Sequence, residues 1–216
     1  MQAGRGAAAA SVGSRLLGEI EETTLDEFRA TQSAPLALTG RHRELLYVLI
    51  ATLVSPPHSK AVAVVDFEDC LDPLQLLTTA PFEQSTTVQR ADLDHVHILR
   101  PARGTSTHIA HCVASIEKHM LYGYHQSRSR EWWGTIVIGG GLNPAGSVAA
   151  SAQAAVTADW KGWLRVDRAE VSSFWDTSAE EALAERDKRQ AAVEAAGWVA
   201  TSPWGGFTIC KGGRAR

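Results

Sequence analysis

Two short stretches of the chain hold residue types that could do chemistry on a phosphate. One is Thr39-Gly-Arg-His-Arg43; the other is the acidic stretch Asp66-Phe-Glu-Asp69, followed closely by Asp72. In an α/β domain a nucleotide sits where the first strand turns into the next helix, because backbone N–H groups and the helix dipole attract phosphate there. A phosphate loop needs glycines for close backbone approach, a lysine for the β- and γ-phosphates, and a Ser or Thr for magnesium. Thr39–Arg43 offers a single glycine, Gly40, and no lysine; the first lysine of the chain is Lys60. Arg41 or Arg43 could attract a phosphate, but neither replaces a glycine-built nest of N–H groups. A magnesium-holding Asp would follow Ile136-Val-Ile138, where Gly139-Gly-Gly141 stands instead. Ordinary ATP binding is therefore not expected, and no cofactor is.

Asp66, Glu68, Asp69 and Asp72 could also bind a metal, but carboxylates at a strand end and a helix N-cap satisfy exposed N–H groups, and that reading is preferred. His95 and His97 share one face of a strand, and His108 and His111 one side of a helix. Zinc needs further ligands in fixed geometry, so no metal site is expected. No G-x-S-x-G turn is present, which leaves a nucleophilic hydrolase unsupported. Seven tryptophans are many for this length. Trp132, Trp133, Trp160 and Trp163, near Lys161, Arg165 and Arg168, could stack bases, although core packing or a partner interface is the commoner use of Trp.

The elements that must position these residues are those of one globular domain. The chain has 216 residues, 44% of them apolar, and a formal net charge of −3. That excludes a disordered chain and a surface that is basic throughout, while a local basic strip remains allowed. Cys70, Cys112 and Cys210 form neither a disulfide framework nor a C-x-x-C zinc pair, which suits a reducing compartment. The longest apolar run, Leu45 to Val54, is about half of a membrane span. No secretory signal is read at Met1–Ala10, and a soluble intracellular protein is expected.

Residues 1–13 read as a flexible, Gly/Ala-rich segment, and 14–216 as one domain. Ser14 to Arg29 suits one or two short helices. A short apolar run, Pro35 to Thr39, precedes a helix from Arg43 to Val54 that is apolar on most faces. Lys60 to Phe67 (KAVAVVDF) is the continuous apolar run of a strand covered on both sides. Asp72-Pro73 opens a helix, Asp94 to Leu99 is a second strand, and Thr107 to Tyr122 is an amphipathic helix with Ile109, Cys112, Val113, Ile116 and Met120 inward. Trp133 to Ile138 is a third strand. Ala149 to Val156 reads as helical, Gly162 to Asp167 as a strand, and Ser178 to Ala196 as one surface helix with a Ser178/Glu181 capping box and Gly197 as its stop. Trp198–Ala200 and Phe207–Cys210 could form a hairpin. Alternating strands and helices imply a mostly parallel sheet covered on both faces.

The stretch Lys60 to Leu76, KAVAVVDFEDCLDPLQL, resembles the second-strand region of the RecA/recombinase core: a hydrophobic strand, Asp-x-Glu, then Asp-Pro opening a helix. Leu93–Pro101 resembles the next strand, Thr107–Leu121 the next helix, Trp133–Gly139 the Walker-B strand and Gly162–Arg168 a later strand. The likeness spans about residues 33–210, and VDFEDCLDP is its specific part. It implies a RecA-like P-loop-type core in which the nucleotide site is degenerate at Gly40, Arg41, Arg43, Glu68 and Gly139. Glu68 then falls where active recombinases place the carboxylate that activates water. No N-terminal DNA-binding domain is read before the core, as in the shortest paralogues. The resemblance implies a non-catalytic, nuclear subunit of a homologous-recombination accessory complex, paired with another recombinase-fold subunit and weakly bound to DNA. Arg100, Arg103, Arg128 and Arg130 would form the DNA-facing edge. The alternative is an accessory ring subunit of an Elongator-type tRNA-modifying assembly, in the cytoplasm; a third reading is an ATPase with a divergent loop.

Overall fold

The computed structural model describes residues 36–82, 87–102, 105–141, 154–171, 179–203 and 205–209. Eight strands form one sheet: β1 (Leu36–Gly40), β2 (Ala61–Asp66), β3 (Val96–Leu99), β4 (Trp132–Ile138), β5 (Val156–Ala158), β6 (Leu164–Arg168), β7 (Trp198–Ser202) and β8 (Gly205–Ile209). Their order is β3-β2-β4-β5-β1-β6-β7-β8. β1 to β6 run parallel, whereas β7 is antiparallel to both β6 and β8. The α/β class and the mostly parallel sheet flanked by helices are as the sequence pattern implied.

The apolar run of β2 is explained by burial on both faces. Val62 and Val64 join the core cluster under helix α1 (Arg43–Val54), while Ala61, Ala63 and Val65 join the one under helix α2 (Ser106–Tyr122). β4 divides in the same way, with Ile136 and Ile138 on the α1 side and Val137 on the other. Every residue of α1 from Leu45 to Val54 is buried. The helix is boxed in by β2 and by two 3-10 turns, Pro73–Thr78 and Arg90–His95. Within that run Thr52 donates to the Val48 carbonyl at 2.7 Å and accepts from the Phe82 N–H at 2.9 Å. On α2, Ile109, Cys112, Val113, Ile116 and Met120 are buried, the face its periodicity predicts.

Several expected elements are corrected. Asp72-Pro73 opens a single 3-10 turn, with Asp72 Oδ1 accepting from Leu74 N, because that stretch has Leu76 as its one buried anchor. The second strand begins at Val96, since Arg90–His95 is itself a 3-10 turn. Val156 opens strand β5 rather than ending a helix: Val156, Thr157 and Ala158 are buried between β4 and β1. The surface helix is two, α3 (Ala179–Ala184) and α4 (Arg186–Ala196), the latter ended by Gly197 at φ +77°. The terminal hairpin forms as Trp198–Ser202 with Gly205–Ile209. The Ser14–Arg29 helix, the 1–13 segment, Ala149–Gln153, Ser178, Arg103 and Cys210 lie outside the described residues.

Candidate functional site at the carboxyl edge of the sheet

Parallel strands place the carboxyl ends of β1, β2, β4 and β5 along one edge. There the β1–α1 turn, the Asp66–Asp72 segment, the triple glycine and the β5–β6 turn come together. Strand β1 ends at Gly40 and α1 starts at Arg43, so two residues join them. Gly40 is required here. Its φ is +77°, and a Cβ would lie 2.5 Å from the Val166 carbonyl oxygen of β6, to which Arg41 N also donates at 2.7 Å.

After β2, the buried carboxylate of Asp66 accepts from the N–H groups of Glu68 (3.1 Å) and Leu71 (2.9 Å). Asp69 pairs with Arg100 at 2.8 Å, and Arg100 also donates to the Leu71 carbonyl. Asp66 and Asp72 thus satisfy backbone N–H groups, as the strand-end and cap reading anticipates, while Asp69 is held by its ion pair. Glu68 stays exposed, and its side chain lies on Gly139: an added Cβ there would meet Glu68 Cγ at 2.6 Å and Oε1 at 3.0 Å. Gly139, Gly140 and Gly141 all have positive φ, +70°, +92° and +71°. Gly40, Glu68 and Gly139 are therefore brought to one edge.

His42, which the search for a lysine passed over, completes this group. Burial pushes its imidazole below the ordinary value, opposed first by the Glu68 carboxylate and also by that of Asp159. Its Nδ1 has no hydrogen-bond partner among the described residues. Burial and the Asp66 carboxylate raise the pKa of the Cys70 thiol, opposed by the nearby Arg43. The Tyr47 hydroxyl accepts from Asp72 N at 2.8 Å, and burial raises its pKa. A repeated local signal could have found Asp159: Val-Thr-Ala-Asp159 ends a strand in an acid as Val-Val-Asp66 does.

The three described arginines of that set, Arg100, Arg128 and Arg130, do not share one edge. Arg100 follows β3 at the carboxyl end, whereas Arg128 and Arg130 precede β4 at the amino end. From the β2–β3 and β2–β4 registers these ends lie about 16 Å apart along the strands. Arg130 is structural: it donates to the Val54 carbonyl at 2.6 Å and to Asp92 at 2.9 Å, with side-chain exposures of 19% for Arg130 and 8% for Asp92. Arg128 lies over the Tyr124 ring, 4.9 Å from its centroid.

Of the two histidine pairs read from the sequence, His95 and His97 do meet, although His95 ends the 3-10 segment and only His97 lies in the strand. His95 Nδ1 and His97 Nε2 both bond Ser127 Oγ, at 2.9 and 2.7 Å. The His97 ring lies 5.7 Å from His119 and 5.0 Å from His125. Burial, reinforced by those neighbouring imidazoles, pushes the His97 pKa down to about 4. His108 instead meets Cys112 at 3.6 Å and the edge of Phe67. Among the described residues no three His, Cys, Asp or Glu side chains are arranged to hold a metal, and no helix is long and apolar enough to cross a membrane.

Comparison with known proteins gives no family: no family's sequence pattern matches the chain, and no curated protein resembles it significantly.

Proposed function

We propose that the chain is a non-catalytic RecA-like subunit of a homologous-recombination accessory complex, one that scaffolds another recombinase-fold subunit in the nucleus. The eight-strand order is compatible with such a core. The observation that carries the reading is the carboxyl edge itself. Gly40, Glu68 and Gly139 converge where a nucleotide would be handled, yet two residues join β1 to α1. A turn that short offers no run of N–H groups to wrap a triphosphate, and His42, held toward its neutral form, stands on it. Glu68 keeps the position of a water-activating carboxylate without the phosphate-holding groups that would give it a substrate. The charge of −3 fits weak DNA affinity for the chain alone.

The test is ATP turnover by the purified full chain with magnesium, alongside Glu68→Gln. Both proteins should show background rates. Magnesium-dependent turnover that Glu68→Gln removes would overturn the non-catalytic reading. Partner identity is tested by affinity purification of the tagged chain from its own cells. Recovery of a recombinase-fold subunit supports the proposal, and recovery of tRNA-modification ring subunits replaces it with the Elongator-type reading.

A further inference from the structure

Three large apolar side chains crowd one short stretch of the surface. Leu121, Tyr122 and Tyr124, at the end of α2 and just past it, are 59%, 74% and 92% exposed. Leaving them in water forgoes the burial free energy such side chains can contribute, and exposed apolar patches mark contact surfaces. Lys118 precedes Leu121 by three residues and Tyr122 by four, which puts all three on one face of the helix. The Arg128 guanidinium sits 4.9 Å from the centroid of the Tyr124 ring. Neither Lys118 nor Arg128 makes an ion pair among the described residues. No Asp or Glu stands between Lys118 and Arg130. Of the two flanking carboxyl groups, Glu131 pairs with Lys60, and burial raises the pKa of Glu117. The patch is thus apolar, aromatic and cationic, and it suits a partner that brings apolar side chains and carboxylates together.

The chain carries such a sequence itself. Residues 16–29, LLGEIEETTLDEFR, hold five apolar side chains and five carboxylates against a single arginine. That stretch alone is more acidic than the whole chain, whose formal net charge is −3. We propose that residues 16–29 dock on this patch of their own chain, their apolar side chains covering Leu121, Tyr122 and Tyr124 and their carboxylates pairing with Lys118 and Arg128. Where the segment joins the sheet favours it over a separate partner. Six residues, 30–35, connect it to Leu36, which opens β1; fully extended they reach about 20 Å. β1 opens at the amino edge of the sheet. Helix α2 runs back from the carboxyl end of β3 and ends before β4, so it finishes at that same edge. β5 and β4 separate β1 from β2, on which α2 packs, a lateral distance of about 14 Å. The tether therefore presents the segment at an effective concentration on the order of millimolar, which an unlinked acidic peptide would have to match. The inference stands apart from the RecA-like reading and needs no nucleic acid.

The experiment joins carboxylates to amines with a zero-length carbodiimide in the purified full chain and maps the links by mass spectrometry. Lys118 should be linked to a carboxylate of residues 16–29. Mixing isotope-labelled with unlabelled chains should give no mixed links. Tyr122→Ala with Tyr124→Ala should lower the ratio of docked to free segment roughly 10-fold. Salt at 1 M should lower the yield as well, because charges are then screened beyond about 3 Å. Arg128→Glu should lower it too, and adding Glu21→Lys and Glu22→Lys to that variant should restore it. The substituted side chains are exposed, so circular dichroism should show the fold kept in every variant. Absence of the Lys118 link in wild type would overturn the proposal. So would a yield that neither salt nor the tyrosine substitutions change, since tethering alone would then explain the link. Mixed-isotope links in place of unmixed ones would overturn it in favour of a second copy of the chain.

Discussion

The two ends of the parallel sheet are built on different terms. At the amino end charged and polar groups close on one another: Arg130 with Asp92 and the Val54 carbonyl, Lys60 with Glu131, and Ser127 with His95 and His97. At the carboxyl end Gly40 and the three glycines from Gly139 hold left-handed backbone, Glu68 is exposed, His42 Nδ1 lacks a partner among the described residues, and Trp160 stands in solvent. The amino end closes its charged groups on one another, whereas the carboxyl end, beside the contacts of Asp66 and Arg100 within its own turn, leaves Glu68 and Trp160 in solvent. The same residue type therefore means different things at the two ends, and the arginines show it most clearly.

The largest expected effect tests the closed end. Arg130→Ala would strand the nearly buried Asp92 carboxylate and the Val54 carbonyl, costing about 3 kcal/mol and lowering Tm by roughly 6–12 °C. Arg100→Ala at the open end removes a solvent-exposed pair with Asp69, one carbonyl contact and a 4.0 Å approach to the buried Asp66, whose two backbone N–H donors stay in place, for about 1 kcal/mol. Parallel urea and thermal melts decide between them. Equal losses would erase the contrast.

Next comes pH. The His97 pKa is about 4 in the folded protein, with His95, His119 and His125 around it, against an ordinary 6.5 when unfolded. Above pH 6.5 both states are neutral and the site contributes its full share of stability. As pH falls from 6.5 toward 4 the unfolded chain takes up a proton that the folded one refuses, so stability is lost across that window and levels off below it. The full shift would be about 3 kcal/mol, and solvent reaching the half-buried ring reduces this to about 1–2 kcal/mol. His97→Gln should flatten the pH dependence of the urea midpoint between pH 4 and 6.5. An unchanged profile would show that the imidazole cluster does not set it.

The open end has its own smaller test. Gly139→Ala puts a Cβ against the flexible Glu68 side chain, which can swing away, so the cost is that of the left-handed backbone, about 1 kcal/mol. The readout is the melt, with Glu68→Ala as a second background. If Glu68 only leans on the glycine, the Gly139→Ala cost is the same in both backgrounds; a smaller cost without Glu68 would mean the carboxylate cannot move.

What the sequence made legible follows from how local each signal is. The α2 face, the unbroken apolar run of β2 and the all-round burial of α1 are stated by spacing within one element, and the structure keeps all three. Strand β5 was not legible: three residues buried on both faces carry no alternation, and alanines beside them read as helix. The shared arginine edge failed for a different reason. Arg100 and Arg130 flank strands that sequence reading finds, but the end of the sheet each occupies depends on strand direction and register. Of the carboxyl-edge group, Gly40 and Gly139 stand out as departures from a phosphate-binding pattern, and Glu68 through the resemblance to the recombinase core. His42 and Asp159 do not, because no motif asks for them and their nearness is tertiary.

The smallest effect sharpens the comparison most. Arg128 sits at the closed end, yet its guanidinium makes no ion pair among the described residues and lies over Tyr124, a ring that is 92% exposed. An exposed cation–π contact contributes about 0.5 kcal/mol, so Arg128→Ala should lower Tm by roughly 1–2 °C. Such a near-silent change isolates the charge. Wild type and Arg128→Ala can be titrated with duplex DNA over a range of salt. If the amino end is structural, the two log–log slopes coincide, because no phosphate is lost with the arginine. A slope smaller by about 0.9 would mark a phosphate contact at this end. The amino end would then bind as well as brace, with Arg130 fixing the segment from which Arg128 reaches DNA.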